Sequence, residues 1–83
     1  MQLLYFASVR EKTGLTGESY QLPDGISNVA QLIEHMQGRG ANYAAAFENN
    51  LMLRIAVNQL HAKPEQTISD SDEIAFFPPV TGG

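Results

Sequence analysis

The sequence has no cysteine and no tryptophan, only five Lys and Arg in total, and no long apolar run. Without cysteine there can be no disulfide framework, thiolate zinc site, iron–sulfur cluster or thiol nucleophile. That absence is compatible with a cytoplasmic setting. The five basic residues stand against nine acidic ones, for a net charge of −4, and the pI is about 4.9. With no basic patch or Lys/Arg run, nucleic acid and anionic membrane surfaces are poor candidate partners. No apolar stretch approaches the roughly 20 residues needed to span a bilayer. The first residues, Met1 to Val9, lack a basic leader and reach Arg10 and Glu11 too soon for a signal peptide.

What is present is an ordinary globular composition. At 83 residues, 43% hydrophobic and 17% charged, the chain is long enough for one domain with a modest core. Residues 2–9 are aromatic and aliphatic and read as a central strand. Arg10 to Gly17 reads as a turn holding at most one helical turn. Glu18 to Leu22 reads as a second strand, ended by Pro23-Asp24-Gly25, so that the two strands make a hairpin.

Val29, Leu32, Ile33 and Met36 fall at i, i+3, i+4 and i+7, one apolar stripe of a helix. Ser27 is the expected N-cap, and with Ala at position 30 no capping box is expected. Gly38-Arg39-Gly40 stops this helix, and residues 41–50 form a short second one. Leu51 to Val57 alternates as a strand, with Leu51, Leu53, Ile55 and Val57 on one face and Met52, Arg54 and Ala56 on the other. Asn58-Gln59 turns the chain into a short edge strand at Leu60 to Ala62. Ile68 anchors a loop, Asp70-Ser71-Asp72 is an acidic turn, and Glu73 to Phe77 is the last strand. Pro78-Pro79 then stops sheet pairing, because neither residue has an N–H to donate. This order predicts an α+β domain over residues 1–77, a ubiquitin-like β-grasp with a mixed sheet of about five strands and one main helix across it. Residues 78–83 are left as an extended tail.

Few side chains suggest chemistry. His35 flanks the helical stripe and His61 sits near an edge, and neither has a spaced partner for a metal site or a triad. Asp70, Asp72 and Glu73 lack the ligand series of a calcium loop and read as a solvated turn. No metal site is expected. Arg10-Glu11 reads either as an exposed ion pair worth little or as part of a docking surface, and Arg10 is kept as a candidate partner-binding residue. Phe76 and Phe77 lie on opposite faces of their strand, so one enters the core and the other faces outward. An outward Phe beside Pro78 and Pro79 would make an apolar anchor for partners, unless the chain covers that face itself.

The end of the sequence is the specific feature. Val80-Thr81-Gly82-Gly83 follows the two prolines with no charged or Ser-rich extension. A frayed tail is the plainer alternative. Extended, four residues would reach about 13 Å from the domain. Two residues without Cβ would pass a narrow channel and present a bare carboxylate. Such a carboxylate becomes useful once another enzyme converts it to an acyl-adenylate, so the tail reads as a substrate.

The segment Asp70 to Gly83, with the opening Leu4 to Glu11 and the Ala56-Val57-Asn58 step, resembles the molybdopterin synthase small subunit family. The resemblance implies a β-grasp sulfur carrier whose Gly83 carboxylate is adenylated by a partner adenylyltransferase using ATP. It is then thiocarboxylated from a sulfur donor protein. It further implies that Val80, Thr81 and Gly82 insert into the large subunit, in a heterotetramer of two small and two large chains. There the tail gives sulfur to cyclic pyranopterin monophosphate; Phe76, Phe77, Pro78 and Pro79 are kept as candidate partner-binding residues on the strand reading above. No bound cofactor is implied. Zero cysteine agrees, since the sulfur cannot ride as a persulfide on this chain. The thiamine-thiazole sulfur carrier and a ubiquitin-like modifier joined to lysines are the alternatives. The family usually has Gly where this chain has Ser71, which raises the question of a changed turn type.

Overall fold

The computed structural model describes residues 1–48 and 53–78. Five strands form one mixed sheet in the order β2-β1-β5-β3-β4: β1 (Gln2–Tyr5), β2 (Gly17–Ser19), β3 (Arg54–Val57), β4 (Leu60–His61) and β5 (Glu73–Phe77). The central β1 and β5 run parallel, and the other neighbours are antiparallel. Three helices, α1 (Ala7–Thr13), α2 (Val29–Gln37) and α3 (Ala41–Ala46), accompany the sheet. The expected α+β class and mixed five-stranded sheet are therefore present, with three helices where one main and one short helix are expected.

Strand alternation divides inside from outside. Leu3, Tyr5, Ile55, Val57, Ile74 and Phe76 are buried, and α2 lays its predicted stripe of Val29, Leu32, Ile33 and Met36 into the same core. Phe47 closes the core edge-on to Phe76, with ring centroids 5.0 Å apart at 89°, while Tyr5 stacks on Phe76 at 6.0 Å and 29°. Ile68 is buried under its loop as expected.

The expected strand over 2–9 ends at Tyr5, and residues 7–13, part of the expected strand and turn, form α1. Val9 and Thr13, spaced i and i+4, are the helix's buried positions, a spacing that alternation within a strand would not bury together. Gly14 at φ 79° then ends the helix, its N–H donating to the Arg10 carbonyl at 2.9 Å. The second strand is Gly17–Ser19 rather than 18–22, and α1 separates it from β1, so the pair is antiparallel but not a tight hairpin.

At α2 the N-cap is Asn28, not Ser27: the Gln31 N–H donates to Asn28 Oδ1 at 2.9 Å. Moving the cap by one residue brings Gln31 to the third helical position. Its Oε1 reaches back to accept from the Ser27 N–H at 2.8 Å, a relative of the capping box that was not expected. The expected helix over 41–50 is described as Ala41–Ala46, and residues 49 and 50 lie outside the described residues. The expected strand from Leu51 is described over Arg54–Val57, Leu51 and Met52 lying outside them.

Asn58 and Gln59 both have positive φ, 52° and 72°, the two-residue turn whose twist suits a hairpin. Asn58 also links the acidic turn to the sheet. Its Nδ2 donates to Asp72 Oδ1 at 3.0 Å, and its Oδ1 accepts from the Glu73 N–H at 3.0 Å. Ser71 is not among the residues with positive φ. It fits the turn without left-handed strain, and its Oγ lies 3.0 Å from Ser69 Oγ.

Candidate functional site

The strand registers assemble the outer face of the sheet, opposite the core. Gly17 is paired with Leu4, Leu4 with Ala75, Ala75 with Ala56, and Ala56 with His61. These five residues form one row across all five strands, because directly paired residues share a face. Three of them are Gly or Ala, so most of the row carries only small side chains. Gly17 is required there: a Cβ would lie 2.6 Å from the Leu3 carbonyl oxygen.

A second row lies beside it, at the C-terminal end of β5. Arg54 is paired with Phe77. Continuing the β1–β5 register beyond Tyr5↔Phe76 by one residue sets Phe6 beside Phe77, and the Phe6 N–H donates to the Phe76 carbonyl at 3.1 Å. Phe6 is 46% exposed. Phe77 is half-buried, and its ring meets the His61 imidazole edge-on with centroids 6.0 Å apart. Leu60, 73% exposed, is paired with buried Val57 and so lies off this face, at the edge of the sheet. Phe6, Leu4 and Phe77 thus place exposed or half-exposed apolar groups around the C-terminal end of β5.

The two phenylalanines of β5 therefore divide cleanly. Phe76 is fully buried and belongs to the core, so its expected contact with partners is not available in this structure. Phe77 is the outward one, followed by half-buried Pro78. Pro79, Val80, Thr81, Gly82 and Gly83 lie outside the described residues. Arg10 is exposed on α1 and makes no ion pair with Glu11, and α1 packs with α3 rather than on the outer sheet face. Phe6 is not among the residues the sequence singles out. The signal for Phe6 is the alternation of buried Leu3 and Tyr5 with Leu4 and Phe6. An unbroken strand over 2–9 hides it.

A polar cluster fastens the inner side of the sheet edge. Glu18 on β2 accepts from Tyr5 Oη at 2.6 Å and Tyr43 Oη at 2.8 Å, and from both terminal nitrogens of Arg39 at 3.0 and 3.1 Å. The Arg39 guanidinium lies over the rings of Tyr20 and Tyr43, 3.9 and 4.2 Å from their centroids. Burial pushes the Glu18 carboxyl up, but the hydrogen bonds from Arg39, Tyr5 and Tyr43 outweigh it and hold the group below its ordinary value. Burial, reinforced by the bond to Glu18, raises Tyr5 and Tyr43. His35 joins the same network through Tyr20, Nε2 to Oη at 2.6 Å. These groups are mutually satisfied, which is the signature of a structural node more than of a reacting centre. Among the described residues no group of three or more His, Asp or Glu converges as a metal site. No helix among them is long and apolar enough to cross a membrane.

The family model for the ThiS family matches residues 3–83. The chain belongs to the ThiS family. The chain also matches relatives over nearly their whole length. The chain is 39% identical to the molybdopterin synthase sulfur carrier subunit of Haemophilus influenzae, over 100% of this chain and 99% of that one. It is 37% identical to the subunit of the same name from Escherichia coli, again over 100% and 99%. Among solved structures it resembles the small archaeal modifier protein 1 of Haloferax volcanii, with a TM-score of 0.74, 22% identity and coverage of 96% and 97%. The modifier of the same name from Methanosarcina acetivorans gives a TM-score of 0.71 at 22% identity, over 99% and 94%. At that identity these two likenesses concern the fold, which for this ThiS-family chain is the ubiquitin-like β-grasp expected from its element order.

Proposed function

We propose that the chain is the sulfur carrier subunit of molybdopterin synthase, the non-catalytic partner of a large catalytic subunit. The observation that carries this reading is the match over the whole chain, at 39% and 37% identity, to two sulfur carrier subunits of that synthase. Under this reading residues 78–83 are an extended tail, and the chemistry lies at the Gly83 carboxylate. A partner adenylyltransferase joins that carboxylate to the α-phosphate of ATP and releases pyrophosphate. Sulfide-level sulfur supplied by a donor protein attacks the acyl carbon and displaces AMP, leaving a thiocarboxylate. In the large subunit the thiocarboxylate sulfur bonds to a carbon of cyclic pyranopterin monophosphate, which loses an oxygen leaving group. Water then cleaves the acyl C–S bond and restores the carboxylate. Two such deliveries complete a dithiolene.

The fold supports this division of labour. The outer sheet face offers apolar groups at the root of the tail, where docking would hold the tail in line with a channel. Gly82 and Gly83 would let the backbone pass where a side chain would not. The cytoplasm, where ATP and the pterin precursor would be met, is the proposed setting. The test is to incubate the chain with the adenylating enzyme, ATP and a sulfur source and take an intact mass. One oxygen-to-sulfur exchange supports the reading, and none refutes it. The thiamine-thiazole carrier reading shares this first step, so transfer to the pterin in the presence of the large subunit separates the two.

A further inference from the structure

Charge on the outer sheet face is sparse. Along the five strands, the residues of this face are Gly17 and Ser19, Gln2 and Leu4, Glu73, Ala75 and Phe77, Arg54 and Ala56, and His61. Arg54 is thus the one permanent cation on this face among the described strand residues. It is exposed, and it stands directly across the β3–β5 ladder from Phe77, at the point where the chain leaves for its tail. Of the other cations, Arg39 is clamped by Glu18, and Lys12 lies 3.7 Å from Glu48. Among the described residues Arg54 has neither an ion pair nor a side-chain hydrogen bond. Glu73, the carboxylate on the same face of β5, is four residues away from Phe77, about 13 Å along the strand.

We propose that Arg54 receives a carboxylate of the docking partner, so that the surface seated on Phe6 and Phe77 carries an Asp or Glu at its rim. The partner meant is the large subunit, so the inference rests on the functional reading above. A chain of net charge −4 repels an acidic surface in most orientations. A single guanidinium beside the tail's root therefore favours the orientation that brings the tail forward, and penalises others. Arginine suits this place because its planar fork binds a carboxylate through two parallel hydrogen bonds and packs well beside aromatic rings. Such a charge acts mainly on association rate and orientation, and the buried aromatic groups hold the complex once formed.

The test is the association rate of the purified chain with the purified large subunit at low and high salt, for wild type, Arg54→Gln, Arg54→Glu and Lys63→Glu. Arg54 and Lys63 are exposed, so these variants leave the core intact. At low salt Arg54→Gln is expected to slow association about tenfold and Arg54→Glu further, within the range of electrostatic steering. The deficit should shrink at high salt. Lys63→Glu makes the same net-charge change as Arg54→Glu away from the strands, and is expected to stay near wild type. Wild-type rate and salt slope for Arg54→Glu would overturn the inference, as would an equal loss for Lys63→Glu. A dimer of the isolated chain that Arg54→Glu dissolves would assign the face to a second copy, and would overturn it too. If wild type does not bind the large subunit at all, the functional reading falls and takes this inference with it.

Discussion

The Phe77 ring meets the His61 imidazole edge-on on the outer sheet face, with centroids 6.0 Å apart and planes at 65°. One residue earlier, Phe76 is fully enclosed between Tyr5 and Phe47. Adjacent phenylalanines thus serve opposite ends, and their substitutions should separate. Phe76→Ala should cost about 3–5 kcal/mol of stability, the usual penalty for emptying an aromatic core position. Phe77→Ala should cost far less stability and instead weaken binding to the large subunit by about 2 kcal/mol or more, as for a central interface residue. Denaturant unfolding and titration calorimetry on the two variants check this.

Glu18 links pH to stability from both sides. Its folded-state carboxyl is held below the ordinary value, chiefly by Arg39 and the two tyrosines working against burial. A depressed carboxyl contributes stability above its unfolded pKa and loses it as pH falls through the folded one, so stability should decline below about pH 4. Tyr5 and Tyr43 are raised, first by burial and then by Glu18. Their contribution is present below the unfolded tyrosine pKa and is lost as pH rises above about 10. Glu18→Gln should cost on the order of 2 kcal/mol at neutral pH and flatten the acid limb. Thermal melts across pH check both limbs.

Gly17 lies under a backbone atom, not a flexible side chain. A Cβ there would sit 2.6 Å from the Leu3 carbonyl oxygen, so Gly17→Ala must move β1 and β2 apart. A loss of about 1–3 kcal/mol is expected, whereas Gly38→Ala, whose added Cβ would lie 3.6 Å from the His35 carbonyl oxygen, should be tolerated. Chemical unfolding of both variants checks this contrast.

The capping geometry of α2 makes a further prediction. Asn28 supplies the cap acceptor, so Asn28→Ala should cost about 1 kcal/mol. Ser27, whose Oγ bonds only the exposed Gln31 side chain, should cost less. Equal losses at the two positions would show that the cap lies elsewhere.

Much of this architecture is legible in the residues themselves. The 3.6-residue stripe of α2 is strong because four apolar residues meet one core, and β5 is bounded by an acidic turn and two prolines. The end of β1 is not legible in the same way. Ala7-Ser8-Val9 continues the apolar character of a strand, and Ala7 enters α1 with φ of 50°, a conformation no propensity anticipates. That misplaced boundary conceals Phe6 as an exposed group. The Glu18 cluster is equally hidden, since it joins residues up to 38 positions apart, from Tyr5 to Tyr43, and only the sheet and the turn after α2 bring them together. Ser27 and Asn28 are both good caps, and sequence preference alone does not rank neighbours of nearly equal strength.

The central claim is that sulfur travels on the Gly83 carboxylate. Its most direct test is the intact mass of the wild-type chain and of a variant lacking Gly83, after incubation with the adenylating enzyme, ATP and a sulfur source. The account predicts one oxygen-to-sulfur exchange, localised to the last residue in wild type and absent from the variant, with both chains unfolding at the same temperature. Sulfur on any other residue, or exchange that persists without Gly83, would contradict it.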